Sequence, residues 1–349
     1  MSSETRHRQV TIADSGRTFS VRPNETVLGA ALRQGVMLPY SCKHGTCASC
    51  KCRLVSGRVD YPFNPPQALD AADIHSGQAL ACQAVAATDL VIEATEIAQV
   101  ADIPVRKFPA RVEEINRLTS DVRRLRLKLP RGQRLQYLAG QYMDVLLPGG
   151  KRRAFSIASS PAHTDFMELH VKYIEGGGFT GHVFEGMHPG EILRLEGPLG
   201  TFFVRLDSSR PMIMVGGGTG FAPLKAMIED LILAEDFRPL ELYWGVRTAG
   251  DLYATGLIDE FARQHRRFRF KPVLLEPDPA WDGACGFVHH AVLADHPDLS
   301  AFDVYMSGPP AMIHAARRPF LEAGVAESHL HYDSFDFGPD VPPQPPAGP

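Results

Sequence analysis

The spacing of four cysteines is the feature that most restricts what this chain can fold into. Cys42, Cys47 and Cys50 follow a C-x4-C-x2-C pattern in the segment SCKHGTCASC, and Cys82 follows in LACQ. Thiolates in this spacing, with a distant fourth cysteine, are typical ligands of a [2Fe-2S] cluster. The small residues between them, including Gly45, let backbone N–H groups turn toward the sulfur atoms and stabilise their negative charge. The loop therefore predicts an iron–sulfur centre with these four cysteines as metal ligands.

Other uses of clustered thiols fit the pattern less well. A structural zinc site usually has two C-x2-C pairs, and only Cys47 and Cys50 form such a pair. The same pair has the spacing of a thioredoxin-like motif, but no βαβ pattern surrounds it. Four spare buried thiols would have this spacing only by coincidence. Of the remaining cysteines, Cys52 is expected to face a packed strand surface and Cys285 to be a small core or loop residue.

Length and composition indicate a soluble protein of several domains. A chain of 349 residues exceeds one ordinary core, so two or three domains are expected. A formal net charge of -4 argues against nucleic-acid binding, which requires a basic surface. No segment reaches the roughly 18 apolar residues that span a bilayer, and the polar start MSSETRHRQV offers no signal peptide. We expect a cytoplasmic protein with no membrane contact, in which clustered cysteines bind metal rather than form disulfides.

The segment before the cysteines predicts a small β-rich domain. HRQVTIADSGRTFSVRP contains two strand patterns separated by a turn at Gly16, which is typical of a hairpin. A helix is predicted in ETVLGAALRQG, with Asn24 as its N-terminal cap and Gly35 at its end. A hairpin and a helix before a cysteine loop resemble the β-grasp ferredoxin fold. The resemblance assigns residues 1–98 to a plant-type [2Fe-2S] ferredoxin domain.

Residues 99–107 are predicted to be a linker, after which the sequence pattern changes. ARVEEINRLTSDVRRLRLKLP and LAGQYMDVLLPGG favour a small antiparallel barrel over βαβ units, and we assign this barrel to residues 108–206. It contains RRAFSIASS, where Arg153 offers a planar charged fork suited to phosphate. Phe155 and Ser156 are neighbours on one predicted strand and therefore point to opposite faces.

A glycine-rich turn in the same unit offers a second contact for phosphate. In EGGGFTGHVF, glycines run into Phe179, Thr180 and a predicted helix. The free N–H groups and the dipole at a helix start both favour an anion. Together with Arg153 on a neighbouring strand, the turn indicates a phosphate site.

We assign residues 207–338 to a unit with a parallel sheet that binds a nucleotide. Residues 339–349 are predicted to be an extended proline-rich tail. RPMIMVGGGTGFAPLKAMIEDLI is an apolar strand, a glycine turn and an amphipathic helix. The G-x-G-x-x-G fingerprint fails because its sixth position is Phe221. A G-G-T-G-x-x-P motif is present instead, and its glycines let the backbone approach a pyrophosphate at a helix N-terminus. The residues of this motif are Gly217, Gly218, Thr219, Gly220 and Pro223.

These motifs resemble those of the ferredoxin–NADP reductase superfamily. In that family an R-x-[YF]-S strand and a glycine-rich segment bind FAD. By resemblance, Arg153 pairs with the pyrophosphate, Phe155 stacks on the flavin, and Ser156 hydrogen-bonds near its reactive nitrogen. LHVKY corresponds to a family strand that contacts the flavin through its backbone. The further FAD contacts implied are His170, Val171, Lys172, Gly177, Gly178, Phe179 and Thr180.

The same resemblance assigns the nicotinamide side of the site. G-G-T-G-x-x-P is the family's pyridine-nucleotide motif. FDVYMSGPPAMI has Ser307 where relatives often carry a cysteine beside the nicotinamide, and Gly308 and Pro309 follow it. HYDSFDFGP matches an acidic-x-aromatic ending that places Phe335 over the flavin ring. Ser156, Ser307 and Phe335 are the catalytic residues that the resemblance implies.

The strand PLELYWGVRTAGDLY bears on the choice between NADH and NADPH. It ends near Arg247, with no acidic residue before Asp251. An acidic residue would favour the ribose hydroxyl of NADH, and an arginine could accept the phosphate of NADPH. Because this segment also resembles NADH-using relatives, the expected cofactor is NADH, with NADPH as the alternative.

The resemblance predicts a multidomain α+β and α/β protein, with a β-grasp ferredoxin, a FAD barrel and a parallel-sheet NAD(P) domain. This order resembles the reductase components of multicomponent bacterial oxygenases and CDP-6-deoxy-delta-3,4-glucoseen reductase-like proteins. It implies a protein that passes electrons from NAD(P)H through FAD and the cluster to a terminal oxygenase or, alternatively, to a CDP-deoxysugar dehydrase. A monomer is the default expectation for its oligomeric state. A docking module without redox activity and a zinc-binding structural protein are the competing hypotheses. A basic surface is expected to meet the partner near the cluster, formed by Lys43, His44, Lys51, Arg53 and Arg58.

Overall fold

The computed structural model describes residues 7–63 and 65–335, which form two compact units that divide between Ile103 and Pro104. The first unit has a mixed sheet in the order β2-β1-β7-β3-β5, in which β1 pairs antiparallel with β2 and parallel with β7. Buried apolar side chains from the sheet and from α1 form its core. The elements are β1 (Arg8–Ile12), β2 (Thr18–Val21), α1 (Val27–Arg33), β3 (Lys51–Ser56), β4 (Val59–Asp60), α2 (Ala71–His75), β5 (Gln78–Leu80), β6 (Val85–Ala86) and β7 (Leu90–Glu93).

The helix α1 begins two residues later than the sequence predicts. Thr26, not Asn24, is its N-cap, and the Thr26 hydroxyl accepts the Gly29 N–H at 3.1 Å. Thr26 has the extended backbone that an N-cap needs, whereas Asn24 adopts a φ of 59° in the preceding turn. The predicted stop is confirmed in position, since Gly35 follows the last helical turn with a φ of 71°.

The second unit begins with an antiparallel sheet in the order β11-β10-β13-β8-β9-β12. An antiparallel bridge between Ile157 and Leu169 joins the two outer strands and closes the sheet into a barrel. The predicted barrel is therefore confirmed, with apolar side chains such as Leu125 and Leu195 filling its interior. The elements are β8 (Arg106–Arg117), β9 (Val122–Lys128), β10 (Tyr142–Leu146), β11 (Arg152–Ser156), β12 (Met167–Lys172), α3 (Gly178–Glu185) and β13 (Ile192–Leu199).

The rest of this unit is a parallel sheet in the order β17-β16-β15-β14-β18-β19. The strand order reverses between β14 and β18, and such a switch point leaves a crevice at the carboxyl ends of the strands where nucleotides bind. Among the described residues, no helix is long and apolar enough to cross a membrane. The predicted tail at 339–349 lies outside the described residues. The elements are β14 (Met212–Gly217), α4 (Phe221–Leu233), β15 (Leu240–Val246), α5 (Thr255–Gln264), β16 (Phe268–Leu274), β17 (Ala284–Cys285), α6 (Val288–Asp295), β18 (Asp303–Gly308), α7 (Pro310–Glu322) and β19 (Leu330–Ser334).

Candidate active site

The cysteine loop lies between α1 and β3 and is shaped by left-handed backbone at three positions. Lys43, Gly45 and Ala48 have φ values of 60°, 83° and 63°. Gly45 is required for space as well, because an added Cβ would lie 2.9 Å from the Gln83 side chain. That side chain donates to the Lys43 carbonyl at 2.7 Å, which fixes the loop from the segment that carries Cys82.

The sulfur atoms of the four predicted ligands form two neighbouring pairs. The thiols of Cys42 and Cys47 are hydrogen-bonded to each other, as are those of Cys50 and Cys82. The bond from Cys47, with further donors such as the His44 N–H at 3.3 Å, lowers the pKa of Cys42. The bond to the neighbouring sulfur and burial raise the pKa values of Cys47 and Cys50. The charge of Cys47 also raises the pKa of Cys50.

Two pairs of thiols fit a binuclear iron–sulfur cluster. Within the part of the chain that the structure describes, no three His, Cys, Asp or Glu side chains are arranged to hold a single metal ion. A [2Fe-2S] cluster takes four cysteine thiolates, and two pairs allow each iron to take two of them. The residues present therefore fit the cluster predicted from the spacing.

The other two cysteines lie apart from these pairs. Cys52 is buried on β3, as its alternating sequence predicts, and burial raises its pKa to about 12. The expectation that Cys285 lies in a core or a loop is wrong, because Cys285 is exposed on the short edge strand β17.

The predicted flavin strand β11 meets the nucleotide sheet at its end. The Ser156 hydroxyl donates to Asp333 Oδ2 at 3.1 Å, although the two residues are 177 positions apart in the sequence. Both are buried, at 8% and 5% exposure. On the same strand, the Phe155 ring packs on Phe179 with centroids 5.4 Å apart. The structure thus brings Ser156 and the acid of the acidic-x-aromatic ending together, while Phe155 and Phe179 form one aromatic wall.

The predicted phosphate contacts of the barrel lie at the start of α3 and on β11. Gly177 is the N-cap of α3, and no side chain caps this helix start. An added Cβ at Gly178 would meet nothing within 4 Å, so the approach to the first N–H groups is open. Thr180 is buried and its hydroxyl braces the turn by donating to the Gly177 carbonyl at 3.2 Å. Arg153 is half-buried and donates to the Arg152 carbonyl at 2.7 Å. An uncapped helix start and an arginine in the same unit fit a pyrophosphate.

The three predicted flavin contacts on β12 differ in environment. Val171 is fully buried in the barrel core, and Lys172 pairs with Asp121 at 3.1 Å on the surface. His170 is buried and its Nε2 lies 2.9 Å from Glu168 Oε1. None of these arrangements prevents the strand backbone from contacting a flavin, which is the contact that the resemblance implies.

The glycine turn after β14 is packed against the turn after β18. An added Cβ at Gly220 would lie 1.9 Å from the Ser307 carbonyl oxygen, and one at Gly217 would lie 2.6 Å from Met312 Sδ. Gly308 has a φ of 152° and its backbone faces that of Gly217. Glycine is required at these positions because the two loops approach each other too closely for side chains. Gly218 instead has open space around its Cβ position and a φ of 53°, which favours glycine for conformation.

Ser307 and Phe335 lie at the same carboxyl edge of the sheet. Ser307 is completely buried, and its hydroxyl has no hydrogen-bond partner among the described residues. The Phe335 N–H donates to the Gly308 carbonyl at 2.9 Å, which fixes the backbone after β19 beside this loop. A fully buried hydroxyl without a partner is costly, and a bound nicotinamide could reach it only if the adjoining loop moved.

Arg247, at the end of β15, is paired with an acid that the sequence motifs do not reveal. Its Nε lies 2.9 Å from Glu276 Oε2, and the two backbones are also hydrogen-bonded at 2.8 Å. The hydrogen bond from Arg247 lowers the pKa of Glu276. Glu276 follows β16, so only the pairing of β15 with β16 brings it to Arg247. A register prediction for those two strands could have found it.

Three family models cover most of the chain. The 2Fe-2S iron-sulfur cluster binding domain matches residues 10–87, the oxidoreductase FAD-binding domain matches residues 109–204, and the oxidoreductase NAD-binding domain matches residues 214–318. The chain is also 40% identical over 326 residues to CDP-6-deoxy-L-threo-D-glycero-4-hexulose-3-dehydrase reductase of Yersinia pestis, which covers 93% of this chain and 98% of that protein. The chain belongs to this family of three-domain reductases.

Other members of the reductase family are similar over the same span. Phenol 2-monooxygenase reductase component DmpP of a Pseudomonas species is 38% identical, with 93% of this chain and 94% of that protein covered. The crystal structure of the Amycolatopsis cytochrome P450 reductase GcoB has a TM-score of 0.76 and 36% identity, with 94% of this chain and 98% of that chain covered. The predicted fold class and cofactors are confirmed: this reductase is an NAD(P)H-dependent oxidoreductase with FAD and a [2Fe-2S] cluster, and it supplies electrons to a partner.

Proposed function

We propose that this reductase draws electrons from NADH and delivers them to a terminal oxygenase. When bound, FAD accepts the electron pair that a nicotinamide carries as hydride, and the cluster passes electrons on singly. The protein contributes binding, orientation and electrostatics. The observation that carries the proposal is the hydrogen bond between Ser156 and Asp333, because it joins the predicted flavin strand to the edge of the sheet that carries the nucleotide turn.

The proposal gives roles to the main residues predicted for the flavin and the nicotinamide. Arg153 and the start of α3 hold the FAD pyrophosphate, Phe155 supports the flavin face, and Phe335 covers the nicotinamide side until NADH enters. The Ser156 hydroxyl donates a hydrogen bond to Asp333, which orients the hydroxyl oxygen so that it accepts a hydrogen bond from the flavin. Ser307 orients the nicotinamide once the adjoining loop moves and uncovers its otherwise unpartnered hydroxyl. The glycine turn binds the NADH pyrophosphate through backbone N–H groups.

NADH is proposed over NADPH because of the Arg247–Glu276 pair. The carboxylate of Glu276 neutralises the one arginine that motif reasoning offered for a 2′-phosphate, so the pair offers such a phosphate no net positive charge. A ribose hydroxyl can instead donate to this carboxylate.

The partner is proposed from the relatives and from the surface beside the cluster. Relatives named as reductase components of phenol 2-monooxygenase and of an aromatic O-demethylase favour an oxygenase. A CDP-deoxysugar dehydrase is the second candidate, because the Yersinia pestis relative at 40% identity is named for such an enzyme. The proposed basic docking surface is weaker than expected, since Lys51 is paired with Asp73 and Arg53 with Glu93. Monomeric state, cytoplasmic location and the domain division at 1–98, 99–107, 108–206 and 207–338 belong to the same proposal.

The test is anaerobic reduction of the purified holoprotein by NADH. Visible absorbance should show flavin bands with a broad iron–sulfur shoulder, and chemical analysis should find iron and acid-labile sulfide in equal amounts. NADH should bleach the flavin bands and then the shoulder, and reoxidation should follow when an oxygenase component encoded nearby is added. A folded protein that lacks flavin and iron, or one whose flavin NADH does not reduce, would contradict the proposal.

A further inference from the structure

A buried series of hydrogen-bonded side chains joins the barrel to the nucleotide sheet. None of the roles predicted above depends on these side chains. Tyr253 follows β15 and its hydroxyl lies 3.1 Å from Nδ1 of His170 on β12. Burial lowers the pKa of His170 against the effect of Glu168, so the imidazole is neutral. A neutral ring can accept the Tyr253 O–H at Nδ1 and donate its Nε2–H to the Glu168 carboxylate. Each donor in this series then has one acceptor.

The same tyrosine belongs to an aromatic cluster beneath the nucleotide turn. Its ring meets Trp244 edge to face at 5.0 Å, and Trp244 stacks on Phe221 at 4.2 Å. Phe221 is the first residue of α4, directly after the glycine turn. The indole Nε1–H of Trp244 donates to the Gly218 carbonyl at 2.9 Å. A continuous path of contacts therefore runs from β12, through Tyr253 and Trp244, to the backbone of the turn.

A second set of contacts connects α4 to the segment after β11. Lys225 is 8% exposed and its Nζ donates to the Ala158 carbonyl at 2.8 Å. The same ammonium pairs with Glu229 at 2.7 Å and with Glu168 at 3.4 Å. Burial alone would raise the pKa of Glu168, but the bond from His170 and the charge of Lys225 lower it to about 2. Both sets of contacts therefore include Glu168. Together they fix α4, which begins at the nucleotide turn, to β12 and to the segment after β11.

We propose that Tyr253, Trp244 and Lys225 are positioning residues for hydride transfer. They hold the glycine turn at a fixed position relative to β12 and to the segment that follows Ser156. The inference rests on the proposed function, since it concerns where NADH meets the flavin. Reacting atoms must approach within roughly 3.5 Å, and a misplacement of about 1 Å can cost a hundredfold in rate. A dinucleotide bound to a loosened turn would therefore bind almost normally and react slowly.

The test compares Tyr253→Phe with Tyr243→Phe in the FAD-loaded full-length protein. Tyr253→Phe removes one hydroxyl and keeps the ring packing. Tyr243→Phe on β15 is the control, because the Tyr243 hydroxyl bonds Asp295 and lies outside the hydrogen-bonded series of Tyr253, His170 and Glu168. Stopped-flow reduction by NADH should show a limiting rate about tenfold lower for Tyr253→Phe. The dissociation constant for NADH should change less than about twofold, and Tyr243→Phe should match the wild type in both quantities.

Hydrogen exchange provides a readout that does not depend on turnover. Trp244→Phe removes the donor to Gly218, so the amides of the segment 218–221 should exchange faster, with unchanged exchange on β9 of the barrel. Lys225→Arg keeps the charge and should retain at least half of the wild-type rate, whereas Lys225→Met should lose about tenfold. If Lys225→Met does not fold because Glu168 and Glu229 are left unpaired, the tyrosine and tryptophan variants decide the question.

The outcomes separate this inference from the proposed function. A wild-type flavin that NADH does not reduce would refute the proposed function itself. A wild type that reacts, together with a Tyr253→Phe variant within twofold of its limiting rate, would refute the positioning role alone. An equal loss in Tyr243→Phe would also refute it, because the effect would then be one of general packing.

Discussion

The cysteine loop and the junction between barrel and nucleotide sheet are constructed in different ways. The loop has left-handed backbone at Lys43 and Ala48, which non-glycine residues adopt rarely, and it directs thiols into one space. At the junction, ordinary strands and helices present side chains that satisfy one another, as in the hydrogen bond from Ser156 to Asp333. The loop offers ligands whose partners come from outside the chain, whereas the buried charges at the junction find their partners within the chain.

Because of this difference, we expect the two regions to depend on bound cofactors to different extents. The three thiols of the loop and the thiol of Cys82 repel one another once they are ionised, so bound iron is what stabilises their arrangement. The buried charges Glu168 and Lys225 are already paired with each other, so neither of them needs a cofactor as its partner. Changes in the loop should therefore remove one cofactor, and changes in the junction should alter geometry.

Cys82→Ser is the strongest test of this independence. The substitution removes one thiolate of the Cys50–Cys82 pair, and the cluster should be lost or bound weakly. Reduction of cytochrome c or of an oxygenase partner by NADH should fall by roughly a hundredfold or more, because the single-electron carrier is missing. Stopped-flow reduction of the flavin should stay within about twofold of the wild type.

Cys52→Ala is the matched control for that experiment. Cys52 is also buried, but it lies outside the two thiol pairs, so iron content and electron delivery should be retained. A Cys82→Ser protein whose flavin is no longer reduced by NADH would show that the two regions depend on each other.

The two regions also differ in how well the sequence predicts them. In the loop, three of the four ligands lie within nine residues, so local spacing identifies the chemistry without knowledge of the fold. The glycine turn is equally local, and its motif was found. The acid Glu276 was missed because it reaches Arg247 only through the register of β16 on β15.

The buried series of side chains at the junction was missed for a related physical reason. Lys225 and Glu229 have the i,i+4 spacing of an ordinary exposed helical pair, and sequence alone does not show that this helix face is buried against the barrel. The helix cap at Thr26 is a smaller error of the same kind, because Asn24 and Thr26 are both good caps and only the turn geometry selects between them.

Gly220→Ala tests whether the junction depends on close contact between its loops. The φ of Gly220 is -58°, so alanine is not strained, but its Cβ would lie 1.9 Å from the Ser307 carbonyl. The loops must separate, and the free energy of unfolding should fall by about 2 kcal/mol. NAD+ should bind at least about tenfold more weakly, because the turn that holds its pyrophosphate moves.

Gly256→Ala on α5, where an added Cβ meets nothing within 4 Å, should leave NAD+ binding and the unfolding transition unchanged or slightly improved. Wild-type affinity in Gly220→Ala would show that the loops adjust without affecting the site.

Glu276→Gln should give the smallest effect, because the Arg247–Glu276 pair is exposed to solvent. The side chains are 71% and 53% exposed, so water and salt screen their charges. Glutamine keeps the size of the side chain and removes its negative charge, which frees Arg247 to meet a 2′-phosphate. The ratio of kcat/KM for NADPH to that for NADH should rise by about three- to fivefold at low salt and by less at high salt.

Arg247→Ala should lower the same ratio, and the double substitution should cancel the gain of Glu276→Gln, since that gain requires the arginine. An unchanged ratio in Glu276→Gln would mean that the adenosine ribose is bound away from this pair, and the preference for NADH would then need another source.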